Sequence, residues 1–349
     1  MGASRRPARG IATAAPTLGR PVARGHNAVM NGGPHTILGA DIGGTKTLLE
    51  ARDSGRGVLR RRYDNDDFAG FDDLLASFLA ELSDVATGPV ASACLAVAGP
   101  VAAQSAALTN RPGWRVDAAA VAARHGFARC TLVNDFAAVA AGIGTLGATD
   151  TVCLQQGAPQ PGGTRVALGP GTGLGVAAIA NGQVLASEGG HVGFAPFDDE
   201  TLGLWHFLEG HRRRATNEHV VSGPGLVTCY RYCLRSPQDA PGPAVTPAMV
   251  VRLALADGDP AACAALALFA RCFGAVAGDV ALAFLARGGV YLAGGVTARV
   301  LPALQAPGFI TAFNAKAGHS ALAASIPVHA VLADDIGLRG ALALAATTC

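Results

Sequence analysis

A chain of 349 residues, half of them hydrophobic, with 46 glycines and only 15% charged, is long enough for two domains of ordinary size, each with its own core. The net charge of +2 conceals a division: residues 1–34 carry five arginines (Arg5, Arg6, Arg9, Arg20, Arg24) and no acid, leaving 22 basic against 25 acidic side chains in the rest. A mildly acidic body argues against a nucleic-acid partner, and no apolar run approaches the roughly 18 residues of a transmembrane helix, which argues against a membrane partner.

The leader, residues 1–34, is rich in Ala, Gly, Pro and Arg and lacks the apolar segment of a secretory signal. Its Arg-rich, acid-free composition also fits an organelle transit peptide, but Pro7, Pro16 and Pro21 interrupt any amphipathic helix. It reads as a disordered basic tail, or as residues upstream of a start at Met30. The body opens with a hairpin, strands 36–40 and 46–51 around Gly43-Gly44. Leu74, Leu75, Phe78, Leu79 and Leu82 stand at helical spacing and predict a helix over 71–85; 90–98 reads as a strand. Asp117 is placed to cap a helix over 117–124, a strand follows at 130–133, and Asn134-Asp135 caps a helix over 136–143. This order of elements predicts a layered α/β domain.

The second half repeats the theme. Strands 165–168 and 176–180 flank another glycine turn, and Asn181-Gly182, a type I′ signal, leads into a strand at 183–186. Helices are expected over 202–209, 224–234, 247–256 and 260–285, then a strand at 290–293 and a last helix near 337–346 that crosses back to the first domain. The eight cysteines (94, 130, 153, 229, 233, 263, 272, 349) show no pairing pattern and read as buried free thiols in a reducing, cytoplasmic compartment. Cys229 and Cys233 could share a helix face, but without a nearby His pair they read as core.

The chemistry is carried by the glycine turns and by four further constellations. Asp41-Ile42-Gly43-Gly44-Thr45 and Gly169-Pro170-Gly171-Thr172-Gly173-Leu174-Gly175 can each bring backbone N–H groups against one anion, with a Thr hydroxyl as an added donor. Either alone also reads as a plain hairpin turn; as a pair in matching contexts they suggest two halves gripping one polyphosphate. Asp41 stands at the strand end, where a nucleotide kinase holds Mg²⁺ or its waters. Asn134-Asp135 ends an apolar strand, where ligands bind in open α/β sheets, and serves equally as a helix cap. Glu188-Gly189-Gly190-His191 brings a carboxylate and an imidazole together, also readable as a satisfied loop or a metal pair lacking a third ligand. Glu218 before a helix reads as solvated unless family context says otherwise. Gly294-Gly295 ends a strand, either for close approach to a ligand or for tight strand-to-helix packing. Arg212-Arg213-Arg214 reads as a solvated basic face.

Together, residues 39–45, Val133-Asn134-Asp135-Phe136, residues 169–175, Glu188-Gly189-Gly190-His191-Val192, residues 221–226 and Ala293-Gly294-Gly295-Val296 resemble, in order, the motifs of the bacterial glucokinase family over residues 35 to about 345. The Cys-x-Cys-Gly-x-x-Gly-Cys zinc cluster of the related repressor and sugar-kinase family is absent, which favours the zinc-free glucokinases. The resemblance implies the two-domain, α/β, actin-like ATPase (ribonuclease H-like) fold, with an interdomain cleft closing over sugar and ATP. It gives a small domain of 35–145 plus 334–349 and a large one of 146–333.

Carried over by the same resemblance, Asp135 is the catalytic base, and Asn134, Asp135, Glu188, His191 and Glu218 bind the sugar. Gly43, Gly44, Thr45, Gly169, Gly171, Thr172, Gly173, Gly294 and Gly295 then lie on ATP, with Asp41 on Mg²⁺. The implied activity is ATP-dependent phosphorylation of glucose to glucose 6-phosphate, the first step of glycolysis, by a cytoplasmic homodimer. Other readings are a kinase for another hexose (mannose, glucosamine, fructose) or a sugar-sensing regulator without turnover. Three positions depart from the family pattern: Lys46 stands where many of these enzymes have Asn, Gly193 replaces a frequent acid, and His219 replaces a common Arg.

Overall fold

The computed structural model describes residues 36–347, apart from 87, 110, 112, 210–213 and 236–244. In chain order the first part contains β1 (Thr36–Ile42), β2 (Lys46–Asp53), β3 (Arg56–Asp64), α1 (Phe71–Ser83), β4 (Val90–Val97), β5 (Ser105–Ala107), β6 (Arg115–Asp117), α2 (Ala118–His125), β7 (Arg129–Asn134) and α3 (Asp135–Gly142). The second part contains β8 (Thr151–Gln155), β9 (Arg165–Pro170), β10 (Leu174–Ala180), β11 (Gln183–Ser187), α4 (Asp199–Glu209), α5 (Asn217–Val220), α6 (Gly223–Cys233), α7 (Pro247–Leu255) and α8 (Pro260–Ala283). It ends with β12 (Gly289–Leu292), α9 (Gly295–Arg299), α10 (Leu301–Gln305), α11 (Pro307–Asn314), α12 (Ser320–Ser325), β13 (Val328–Val331) and α13 (Ile336–Thr347).

One sheet runs β3-β2-β1-β4-β7 and the other β11-β10-β9-β12-β13-β8. In each, an antiparallel three-strand meander is continued by two strands parallel to its first. The two glycine turns are therefore the same hairpin of the same sheet plan, met twice. β8 is an antiparallel addition at the far edge of the second sheet. The Asn181-Gly182 turn has positive φ at both residues, 53° and 77°, as a type I′ turn requires.

α3 and α13 also occupy equivalent places, each following the fifth strand of its sheet. α3 leaves the first sheet and lays Phe136, Val139, Ala140 and Ile143 on Ala167, Ala177 and Ile179 of the second. α13 leaves the second and lays Ala341 and Ala345 on Cys94 and Ala96 of the first. The two helices cross at small residues. A side chain on Gly340 would overlap the Ala138 carbonyl, and one on Gly142 the Ile336 carbonyl. Ion pairs reinforce this layer: buried Asp335 takes Arg60 of β3 at 3.0 Å and Arg339 of α13 at 2.7 Å, while Arg339 also reaches Asp150 before β8 at 2.7 Å.

The structure adds elements that the apolar patterning did not predict: β3, the short β5–β6 pair, β8, β13, α5 and the helices α9 to α12. It also corrects one premise, that no apolar run is as long as a membrane span. The 24 residues of α8 are long and apolar enough to cross a bilayer by length and composition. They are the core helix of the second part instead, 72% buried in their most apolar stretch, with Phe269 tilted against Phe273 and Phe273 edge-on to Phe309, which stacks on Phe313. Cys229 lies in that same core as expected, with Cys233 partly buried against it, whereas Cys153 and Cys263 are exposed, against the expectation of buried thiols. The basic leader, Arg212 and Arg213 lie outside the described residues; Arg214 is exposed.

Candidate active site

The parallel strands of the first sheet end together, delivering Asp41 from β1, Gly99 just past β4 and Asn134 from β7 to one edge. Asn134 is extended (φ −65°, ψ 149°) and caps α3: its Oδ1 accepts the Phe136 N–H at 2.9 Å, and its Nδ2 donates to the Gly99 carbonyl at 3.1 Å. Asp135 then begins the helix with its carboxylate sharing the same Phe136 N–H at 2.8 Å. The capping reading of this pair therefore holds, and the pair stands at the carboxyl end of β7. Burial first, and the Glu188 charge as a smaller contribution, raise the Asp135 pKa to about 6 against the lowering effect of its hydrogen bonds.

Asp41 is raised further, to about 7, by burial first and by Asp135 second. Its Oδ2 lies 2.7 Å from where a Cβ on Gly337 would stand, so the first turn of α13 backs the carboxylate. Such a charge, held out of water beside a second carboxylate, is what a divalent cation relieves. The folded protein binds a proton at Asp41 up to about pH 7, the unfolded chain only to about 3.8, so stability falls as pH rises between these values. Asp41→Asn is therefore expected to raise the melting temperature, more at pH 8 than at pH 5; a variant no more stable at pH 8 would show that the carboxylate is not strained.

The first turn closes with the Gly43 N–H on the Lys46 carbonyl at 3.0 Å, leaving Thr45 and Lys46 exposed. In the second, Gly171 N–H meets the Gly173 carbonyl, and the Gly171 carbonyl receives the Gly223 N–H, both at 2.8 Å. Ser222 caps α6 there, accepting from the Gly225 N–H at 3.0 Å. Thr172 stays exposed. Gly294 (φ +89°) passes 2.7 Å from the Pro170 carbonyl at its would-be Cβ, so tight packing explains it, while Gly294 and Gly295 still present exposed backbone beside the turn.

Glu188 and His191 are both well exposed and 3.9 Å apart, Oε2 to Nε2. Their turn lies flat on the start of β10, because Gly190 has no Cβ to meet the Leu174 carbonyl. The Leu174 N–H in turn donates to Glu218 Oε2 at 2.9 Å. Leu174 thereby ties Glu188, His191 and Glu218 to the second glycine turn, and Glu218 is not the solvated surface acid its spacing suggests. His219 explains its own departure: Nδ1 accepts the Thr216 N–H at 3.1 Å and caps α5, which carries Glu218. Gly193 bridges Thr216 and faces the Arg214 guanidinium. Among the described residues no group of three or more His, Cys, Asp or Glu is arranged to hold a metal, so a cation here would draw on Asp41, phosphate oxygens and water.

The glucokinase family profile matches residues 38–348. A glucokinase of Rhizobium meliloti is 37% identical over 328 residues, covering 92% of this chain and 95% of its own length. The crystal structure of a glucokinase from an Antarctic psychrotroph superposes with a TM-score of 0.79 at 29% identity, covering 89% of this chain and 99% of that one. A glucokinase of Streptomyces griseus, solved with glucose and AMPPNP, shares the fold at 23% identity and a TM-score of 0.61, covering 89% and 99%. The doubled sheet plan, the paired glycine turns and these likenesses agree: the chain has the two-domain actin-like ATPase fold and belongs to the glucokinase family, kinases that phosphorylate glucose with ATP.

Proposed function

We propose that Asp135 takes the proton of the glucose 6-hydroxyl as that oxygen attacks the γ-phosphorus of ATP, giving glucose 6-phosphate and ADP. The observation that carries this reading is the Asp135 carboxylate itself. It is pinned by the Phe136 N–H at the carboxyl end of β7, raised to about pKa 6, and so is both ionised at neutral pH and a better proton acceptor than an exposed aspartate. Asn134, Glu188, His191 and Glu218 bind the sugar hydroxyls. The turns at Gly43-Gly44-Thr45 and Gly169 to Gly173, with Gly294 and Gly295, hold ATP. Mg²⁺ at Asp41, when bound, offsets charge on the β- and γ-phosphates.

The two lobes are assigned as 35–145 with 334–349, and 146–333. The packing of α13 on the first sheet supports placing 334–349 with the first lobe. Seven cysteines among the described residues are free thiols, which supports a cytoplasmic site of action; a place at the entry to glycolysis follows from the activity itself. A homodimer belongs to the same reading and is tested by sedimentation velocity.

A coupled assay with ATP across glucose, mannose, glucosamine and fructose tests the activity, with glucose expected to have the highest kcat/KM. Glu188→Gln and His191→Ala are expected to raise the glucose KM by about tenfold or more and the ATP KM by less than about twofold, because they remove contacts to sugar hydroxyls alone. Equal rises in both would move these residues to the phosphate side.

A further inference from the structure

A turn that cradles phosphate must present its N–H groups and keep its carbonyls, which repel phosphate oxygens, turned away. In the first glycine turn that task falls to a residue outside every motif. Asn65, fully buried just past β3, donates from Nδ2 to the Gly43 carbonyl at 2.9 Å and from its backbone N–H to the Thr45 carbonyl at 2.8 Å. Its remaining side-chain atom, Oδ1, accepts from Thr47 Oγ1 at 2.8 Å, which fixes the amide orientation so that Nδ2 faces the turn. Thr47 is likewise fully buried.

Asn65 is itself held from the acceptor side. Arg111 donates to the Asn65 carbonyl at 2.6 Å and to Asp66 at 2.7 Å, its guanidinium 4.7 Å above the ring of buried Trp114. The segment bearing Arg111 and Trp114 is anchored by the Thr109 N–H on the Ala98 carbonyl at 3.3 Å, one residue before the Gly99 carbonyl that receives Asn134.

We propose that Asn65 is the positioning residue of the first glycine turn, orienting the backbone N–H groups that follow Gly43 toward the nucleotide phosphates by capturing the Gly43 and Thr45 carbonyls. This rests on the reading that the turn holds ATP. Asn65→Asp keeps the volume and the acceptor for Thr47 but sets a carboxylate against the Gly43 carbonyl. It is expected to raise the ATP KM about tenfold with the glucose KM within about twofold. Thr47→Val, which removes only the hydroxyl that orients the amide, is expected to raise the ATP KM several-fold; Thr47→Ser, which restores it, should return the value to within about twofold of the parent.

An ATP KM unchanged in a folded Asn65→Asp variant, or equal rises for both substrates, would overturn the proposal. If Asn65→Asp does not fold, the Thr47→Val and Thr47→Ser pair decides. Thr45→Val, in the turn itself, separates the two levels. Should it raise the ATP KM while the Asn65 and Thr47 variants do not, Asn65 has no positioning role and the turn keeps its own; should none of the Thr45, Asn65 and Thr47 variants change the ATP KM, the turn does not hold phosphate and both readings fall.

Discussion

Asp135→Asn is expected to lower kcat by about 100-fold or more while glucose binding stays measurable by fluorescence or calorimetry. The amide can share the Phe136 N–H as the carboxylate does, so the start of α3 keeps its geometry and the loss falls on proton acceptance. A variant retaining more than about a tenth of the parent kcat would remove Asp135 from the role of base, since general-base assistance contributes roughly 10²- to 10⁴-fold. The pH profile carries the same argument. With a pKa of about 6, Asp135 is protonated below that value and cannot accept the proton, so kcat/KM should fall about tenfold per pH unit on the acid side. At limiting Mg²⁺ the acid limb should move up toward pH 7, because Asp41, raised to about 7, must also be ionised to take a cation. The Asn variant should lose the Asp135 limb.

The parts of this arrangement visible in the amino-acid order are those built from neighbours in the chain. Both glycine hairpins, the Asp117 cap on α2 and the Asn134 cap on α3 bind residues two to three positions away. β3 was hidden because Arg60, Arg61 and Arg62 interrupt any apolar alternation on an edge strand; one of them is there to reach Asp335, 275 residues on. β13, four residues long, is too short to carry a period. The roles of Glu188, His191 and Glu218 came from family resemblance. Glu218 meets the Leu174 N–H across 44 residues, and Asn65 meets Gly43 across 22, so no local pattern records either bond. For α8 the span was legible as an alanine-rich helix over 260–285, but not its packing among four phenylalanines of its own and a neighbouring helix, which come from segments far apart in the chain.

Gly340→Ala is expected to be among the most damaging single-methyl changes in the chain, although in the sequence Gly340 looks only like a weak point in an alanine-rich helix. The added Cβ would overlap the Ala138 carbonyl and come within 2.8 Å of the Gly142 backbone nitrogen, and neither backbone group can swing aside as a side chain could. α3 and α13 must then separate. Overpacking of this kind costs about 1–3 kcal/mol, which in a protein of this size lowers the melting temperature by roughly 1–4 °C. The damage should extend to turnover. α3 carries Asp135 in its first turn and α13 backs Asp41 through Gly337, so parting the helices moves the two carboxylates relative to each other. Below its melting temperature, folded Gly340→Ala should therefore show a reduced kcat as well. Gly318→Ala, where a Cβ meets nothing within 4 Å, is the matching control and should change neither quantity. A Gly340→Ala protein as stable and as active as the parent would mean that the two helices slide apart without cost, and that their close crossing does not hold the catalytic carboxylates in register.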